Sequence, residues 1–137
     1  MFERVLIANR GEIAVRILRA CRTLGIGAVV AYSEADRDSL AAQLADEAIC
    51  IGPADARRSY LSASSLISAA IVTGCDAIHP GYGFLSEDAG FAEAVAAHGI
   101  AFVGPSAEVL RRFGDKTEAR SLAKELEVSV VPGMPAV

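Results

Sequence analysis

Tryptophan is absent from this 137-residue sequence, and aromatic residues make up only 6% of it. The 53% of apolar residues is therefore mostly Ala, Val, Leu and Ile, a composition typical of helices packed on a buried parallel sheet. No apolar run approaches the roughly 20 residues of a membrane span. The N-terminus lacks the long apolar stretch and cleavage site of a signal peptide. These absences predict a cytoplasmic protein without a membrane span.

Cysteine and histidine are also scarce. The three cysteines, Cys21, Cys50 and Cys75, are widely spaced and form no CxxC pair. This pattern predicts reduced, mostly buried thiols rather than a disulfide or a metal site. His79 and His98 are the two histidines, and no other ligand lies near either of them at metal-like spacing. We therefore expect no metal site in this chain.

The charge balance argues against a nucleic-acid partner. The formal net charge is −4 and the sequence pI is about 5.1. Proteins that bind nucleic acid usually carry a basic face and a high pI. We therefore expect no nucleic-acid partner.

Strand-length apolar runs alternate with helical patterns along the chain. The predicted strands are residues 5–8, 28–32, 48–51, 77–79 and 101–103. The predicted helices are residues 12–24, 40–45, 63–73, 87–98, 106–113 and a last one from Asp115 to about Leu126. Crossovers of this kind are right-handed and make the strands parallel. The sequence thus predicts an α/β fold: an open parallel sheet of Rossmann-like type with helices on both faces.

A domain boundary is predicted near Gly114. Residues 1–113 form one unit, and residues 114–137 look like the start of another, with a further strand beginning at Val128. Lys116 lies in the first turn of the last helix, where a cation opposes the helix dipole. Contact with a phosphate would explain that conflict, and an exposed lysine without a role is the alternative.

Three loops follow predicted strands and should share the carboxyl rim of the sheet, where ligands collect in open α/β folds. They are residues 9–11, 79–86 and 104–106. In the first loop, Asn9 or Arg10 is expected at the cap of the following helix. A Rossmann-type nucleotide-binding module is one interpretation, with Glu34 or Asp36 as the ribose-binding acid. However, Gly11 alone stands where that module needs GxGxxG, and no Walker A motif exists.

The second loop, HPGYGFLSE at residues 79–87, holds more candidate groups. Gly81 and Gly83 would let backbone amides approach a ligand closely, and Tyr82 could lie beside a flat polar molecule. A plain strand-to-helix turn explains the same residues equally well. His79 is predicted to have a structural role, hydrogen-bonding the loop. Ser86 is predicted to cap the next helix, which places Glu87 in a first turn that favours carboxylates whatever their function.

The first helix carries Arg16, Arg19 and Arg22 on one side. Such a stripe is usually a solvated face, but it could pair with acids across an interface. A non-catalytic domain that dimerises through this helix is therefore another interpretation.

Taken together, these motifs resemble the biotin carboxylase family, which includes the separate subunit of acetyl-CoA carboxylase in fatty acid biosynthesis. The match runs in order through the whole chain. The matching segments are residues 7–26, 35–39, 44–48, 59–61, 77–87, 102–106, 114–116 and 131–133. Within them stand IANRGEIA, AIHPGYGFLSE, FVGPS and GDK.

The resemblance implies a pre-ATP-grasp domain followed by an ATP-grasp module. It also implies an ATP-dependent ligase that activates bicarbonate and carboxylates biotin on a carrier protein, with Mg²⁺ assisting at the phosphates. The implied partners are a biotin carboxyl carrier domain, a carboxyltransferase subunit or domain, and a second copy of the parent protein.

The resemblance also implies roles for individual residues. Tyr82, Gly83 and Glu87 match biotin-side positions, and Lys116 matches the first lysine of the ATP site. Arg16 and Arg19 match the homodimer helix, although Thr23 stands where dimeric relatives often carry an acid. The family's catalytic base and metal ligands match no residue here, so the chain alone is expected to be inactive.

Overall fold

The structure, a computed structural model, describes residues 1–114 and 116–130. The strands are β1 (Arg4–Ile7), β2 (Gly27–Ser33), β3 (Glu47–Gly52), β4 (Ala77–His79) and β5 (Ala101–Phe102). The helices are α1 (Gly11–Leu24), α2 (Leu40–Leu44), α3 (Ala63–Val72), α4 (Ala89–Ala97), α5 (Ala107–Gly114) and α6 (Lys116–Glu125). Each predicted strand of the sheet is therefore present, with bounds shifted by at most one residue.

The five strands pair in parallel in the order β3-β2-β1-β4-β5. Strand β1 lies in the centre, with β2 on one side and β4 on the other, and Ile7 pairs with His79 at its carboxyl end. The connections leave β1 in opposite directions, so the topological switch point lies between β1 and β4. The predicted open parallel sheet is confirmed.

Helices cover both faces of this sheet, as predicted. On one face, Val5 and Ile7 pack with buried residues of α1 such as Ile17. On the other face, Leu6 packs with α3 and α4, where Val95 is completely buried. Alternation along β1 produces the two cores, and each fully buried Leu or Ile contributes roughly 1.5–3 kcal/mol to the free energy of unfolding.

The start of α4 differs from the prediction. Asp88, not Ser86, is the N-cap residue, and its Oδ1 accepts a hydrogen bond from the Phe91 amide at 2.7 Å. Ser86 instead belongs to a turn closed by its own amide and the Gly83 carbonyl at 2.9 Å. Both residue types cap helices well, so the sequence alone could not separate them. As a result Glu87 precedes α4, and stabilisation by the helix dipole does not explain a carboxylate at this position.

The C-terminal prediction is wrong in one respect. Residues 128–130 form no strand, and Val131 lies outside the described residues. Helix α6 ends because Glu127 takes a left-handed conformation with φ of 56° and the Val128 amide bonds back to the Ala123 carbonyl at 2.8 Å. Asp115, the predicted cap of α6, also lies outside the described residues.

The cysteines are unpaired, and two of the three are buried. Cys21 and Cys75 lie in the two cores, where burial raises the pKa of both thiols, while Cys50 on β3 is exposed. No helix among the described ranges combines the length and hydropathy needed to cross a bilayer.

Candidate functional site

Asn9 joins the two loops that meet at the switch point. The residue is 3% exposed, and its Nδ2 donates to the carbonyl oxygens of Pro80 and Tyr82, each at 2.7 Å. Its Oδ1 accepts from the Arg10 amide at 2.8 Å. Arg10 is the N-cap residue of α1, without a side-chain capping bond. The Asn9 carboxamide therefore links the β1–α1 loop to the loop after β4 at the switch point.

Gly81 fits against this carboxamide. It has φ of +66°, and a Cβ added there would lie 2.9 Å from Asn9 Nδ2 and 3.0 Å from Ile13. Real Cβ atoms do not approach other heavy atoms so closely. Position 81 thus needs glycine for two reasons, backbone conformation and contact.

His79 has the structural role that was predicted. Its Nδ1 accepts the Gly81 amide at 3.0 Å, directly below the loop. Burial lowers the pKa of the imidazole and favours its neutral form. A neutral ring with an unprotonated Nδ1 is the form that accepts this bond.

Tyr82 and Gly83 lie on the outer side of the same loop. Tyr82 is 60% exposed, and its hydroxyl donates to Glu12 Oε2 at 2.9 Å, which raises the pKa of the phenol. Gly83 has φ of +70° and open space around its Cβ position. The loop therefore turns its Pro80 and Tyr82 carbonyls inward and presents the Tyr82 side chain and Gly83 outward.

A cavity of about 380 Å³ opens beside this outer surface. It lies between α5 and the loop of residues 79–87, here called the glycine loop. The walls of the cavity include Gly81, Tyr82, Ser86, Glu87, Pro105 and Phe113. The loops at residues 79–86 and 104–106 thus line the cavity. The loop at residues 9–11 supports the glycine loop through the hydrogen bonds of Asn9. Of the biotin-side residues inferred from resemblance, Tyr82 and Glu87 line the cavity and Gly83 adjoins it.

Lys116 is close in sequence to residues that line this cavity. Gly114, which also lines the cavity, ends α5, and α6 begins at Lys116. The side chain of Lys116 lies outside the described residues, so its assignment to an ATP site stays a prediction.

Arg16 and Arg19 are exposed on α1 and line a separate surface depression of about 480 Å³ together with Ser39 and Leu40. Arg22 differs from them, because it donates a hydrogen bond to the Leu44 carbonyl at the end of α2. All three arginines are exposed, and Arg22 also links α1 to the end of α2 through this hydrogen bond.

A second cluster of side chains, of which the sequence singles out only Asp36 and Arg10, supports the loop from the β2 side. Asp36 Oδ2 accepts from Ser33 Oγ and the Tyr60 hydroxyl, both at 2.8 Å, and Arg10 lies 3.7 Å from it. The ring of Tyr60 stacks on Phe84 with centroids 4.9 Å apart. Asp36, considered above as a ribose ligand, is thus held by neighbouring side chains.

Biotin and Mg²⁺ fit the described residues differently. The cavity is lined by the aromatic ring of Tyr82, with open space at the adjoining Gly83, and the planar ureido ring of biotin suits such a surface. In contrast, no group of three or more His, Cys, Asp or Glu in the described part of the chain could hold a metal ion. These residues thus fit the organic ring and not the metal.

The fold and the loop define a Rossmann-like α/β domain in which Asn9 bridges the two loops at the switch point and the glycine loop borders an open cavity. The family described as "Biotin carboxylase, N-terminal domain" matches residues 1–110. The chain belongs to this family.

Known relatives are similar in sequence over nearly the whole chain. It is 58% identical to the biotin carboxylase of Pseudomonas aeruginosa, covering 97% of this chain and 30% of that protein. It is 54% identical to biotin carboxylase 1 of Bacillus subtilis, with 100% and 30% covered. Among solved structures, the biotin carboxylase domain of a thermophilic 2-oxoglutarate carboxylase bound to bicarbonate is 43% identical with a TM-score of 0.93, covering 99% and 30%. The chain thus spans about a third of the length of these relatives and corresponds to their N-terminal region.

Proposed function

We propose that this chain forms the N-terminal part of a biotin carboxylase, an ATP-dependent ligase that uses bicarbonate to carboxylate biotin on a carrier protein. One observation carries the proposal. In a chain of this family, the glycine loop displays Tyr82 and Gly83 at the mouth of a cavity while its carbonyls are fixed from within by Asn9.

The proposed biotin side of the site consists of Tyr82, Gly83 and Glu87. The exposed ring of Tyr82 offers a flat apolar surface, and the open space at Gly83 lets a bicyclic ring approach the backbone. Glu87 precedes the helix cap and lines the cavity, so its carboxylate is available to a polar group of the ligand.

The proposed nucleotide side begins at Lys116. We assign it to a phosphate of ATP and place the boundary of the second unit, an ATP-grasp module, at residue 114. The family model, which matches residues 1–110, supports this division into residues 1–113 and 114–137. Mg²⁺ neutralises phosphate charge in such reactions, and no step through it is assigned to the described residues.

The parent protein would work with partners in the cytoplasm. We propose a biotin carboxyl carrier domain, a carboxyltransferase subunit or domain, and a homodimer that uses Arg16 and Arg19. Both side chains are exposed on α1, which supports an interface there. A dimerising role for α1 is compatible with the enzyme, because Arg16 and Arg19 line a different depression from the cavity beside Tyr82.

A chimaera tests the proposed function. The 133 matching residues of the Pseudomonas aeruginosa relative are replaced by the corresponding part of this chain. We expect ADP release that depends on both bicarbonate and free biotin, with a biotin KM within about threefold of the relative's, because the loop and its support come from the same segment. The 137-residue chain on its own should release no ADP above background.

Two results would contradict the proposal. One is a chimaera that folds, with a Tm like that of the relative, but shows no response to biotin. The other is biotin-dependent ADP release by the 137-residue chain without the rest of the relative.

A further inference from the structure

We propose that Asn9 is a positioning residue for the biotin-binding loop: its carboxamide fixes the backbone that presents Tyr82 and Gly83. This inference rests on the proposed function and adds a residue to its site. Asn9 lies behind the loop, on the side away from the cavity, so it acts on the ligand only through residues 80–83.

The three partners of Asn9 select a carboxamide. Two are carbonyl acceptors, Pro80 and Tyr82, and the third is the amide donor of Arg10. A carboxamide has two N–H donors and a carbonyl oxygen on one rigid plane, which satisfies all three. An ionised aspartate of the same shape has no donor and would face two carbonyl oxygens.

The burial of Asn9 makes these bonds consequential. Asn9 is 3% exposed as a residue, and Pro80 is also buried, so water has little access to replace a lost donor. A buried acceptor without a partner is unfavourable, and the loop can relieve this by turning its carbonyls outward. That rotation would also turn the Tyr82 ring and Gly83 away from their present positions.

The alternative role for Asn9 is support of the β1–β4 pair alone. The sheet, however, has its own bond at this level, from the Ala8 amide to the His79 carbonyl at 3.0 Å. The two bonds from Asn9 Nδ2 lie beyond the last ladder bond, on Pro80 and Tyr82. Asn9 therefore determines the shape of the loop rather than the pairing of the strands.

The experiment compares Asn9→Asp, Gly81→Ala and Gly74→Ala in the chimaera. Gly81→Ala displaces the carboxamide, because its Cβ would lie 2.9 Å from Asn9 Nδ2. Gly74→Ala is the matched control: its φ of +67° equals that of Gly81 within a degree, but nothing lies within 4 Å of its Cβ. Gly74 also lies at the opposite, amino edge of the sheet, between α3 and β4.

We expect both Asn9→Asp and Gly81→Ala to raise the biotin KM about tenfold while the ATP KM stays within about twofold. Gly74→Ala should lower the Tm through the same backbone strain, though less than Gly81→Ala because nothing lies near its Cβ, and should leave both KM values unchanged. If Asn9→Asp does not fold, Gly81→Ala decides by itself. A biotin KM that matches the Gly74→Ala control in the folded variants overturns the inference.

A second readout does not depend on catalysis. In the 137-residue chain, the Gly81 amide is held by His79 Nδ1, so its hydrogen exchange reports the loop. Exchange at Gly81 should accelerate at least about tenfold in Asn9→Asp relative to Gly74→Ala. If ADP release by the unsubstituted chimaera does not depend on biotin, the proposed function fails. Hydrogen exchange at the Gly81 amide still supports or overturns the positioning role of Asn9.

Discussion

The Tyr82 hydroxyl donates to Glu12 Oε2 at 2.9 Å, joining two side chains 70 positions apart in the chain. Glu12 belongs to the first turn of α1, just after the loop that contains Asn9. The β1–α1 segment therefore touches the glycine loop twice: Asn9 holds its backbone from within, and Glu12 holds the end of its aromatic side chain from outside. The outer contact is solvent-exposed and the inner one is buried.

Removing the charge of Glu12 should lower the pKa of Tyr82. The hydrogen bond to the Glu12 carboxylate is the largest cause of the raised pKa of this phenol, followed by the negative charge itself. We expect Glu12→Gln to shift the Tyr82 titration toward lower pH and to change the biotin KM of the chimaera by less than about threefold. Titration of tyrosine ¹³Cζ resonances measures the shift, and an unchanged Tyr82 curve would exclude the contact in solution.

Tyr60→Phe should destabilise the fold by about 1–3 kcal/mol. Tyr60 is 1% exposed, and its hydroxyl accepts the Ser33 amide at 3.0 Å while donating to Asp36. Phenylalanine keeps the stack on Phe84 but leaves that amide without its partner. Urea unfolding at pH 7 measures the change, with Tyr32→Phe on β2 as the control. Equal stability of the two variants would contradict the argument.

Tyr60 should also contribute an alkaline limb to the stability curve. Burial raises the pKa of Tyr60 to about 12 from an ordinary value near 10. The unfolded chain then loses this proton first as the pH rises, so stability falls between about pH 10 and pH 12. In Tyr60→Phe this part of the pH dependence should be missing.

Acidification should weaken the fold through His79. Burial lowers the pKa of its imidazole below the ordinary value near 6.5. Above that pH neither state binds the proton, and just below it the unfolded state binds the proton more readily than the folded state, so the free energy of unfolding falls as the pH drops from about 6.5. Urea unfolding at pH 7.5 and 5.5 should show a smaller loss in His79→Gln than in the unsubstituted chain. An identical loss of stability in His79→Gln and in the unsubstituted chain would contradict the role of His79.

Charge reversal on α1 tests the proposed homodimer. Arg16→Glu with Arg19→Glu should convert a dimeric chimaera into a monomer, because both side chains are displayed at the surface. The matched control is Arg57→Glu with Arg58→Glu, an equal change of charge at two exposed arginines in a turn between β3 and α3. Sedimentation velocity measures the outcome. A chimaera that is monomeric before any substitution, or dimeric after it, contradicts the proposal.

The sheet was predictable from sequence because its information is local. Apolar runs of strand length, such as residues 28–32, alternate with helical patterns, and parallel pairing follows from the crossover rule. The rim position of the glycine loop followed from the same rule. The misplaced start of α4 marks the limit of this reasoning, since Ser86 and Asp88 are both good capping residues and tertiary packing chose between them.

The support of the loop was not predictable in the same way. Asn9 stood out only as a possible helix cap, because the carbonyls it binds belong to residues 71 and 73 positions later. The direction of a backbone carbonyl is a property of the folded loop and leaves no mark in the residue pattern. Tyr60 escaped notice for a similar reason, since its partners Ser33 and Asp36 come from another strand end.

The long separation between Asn9 and the loop has a consequence for the order of folding. Contacts that close 71 to 73 residues form only after most of the intervening chain has collapsed, and such long closures are slow. Protection of the Gly81 amide should therefore appear after that of helix α1 in a refolding experiment. For the same reason, HPGYGFLSE grafted into a foreign turn would not keep its shape, because half of what determines that shape is encoded near the N-terminus.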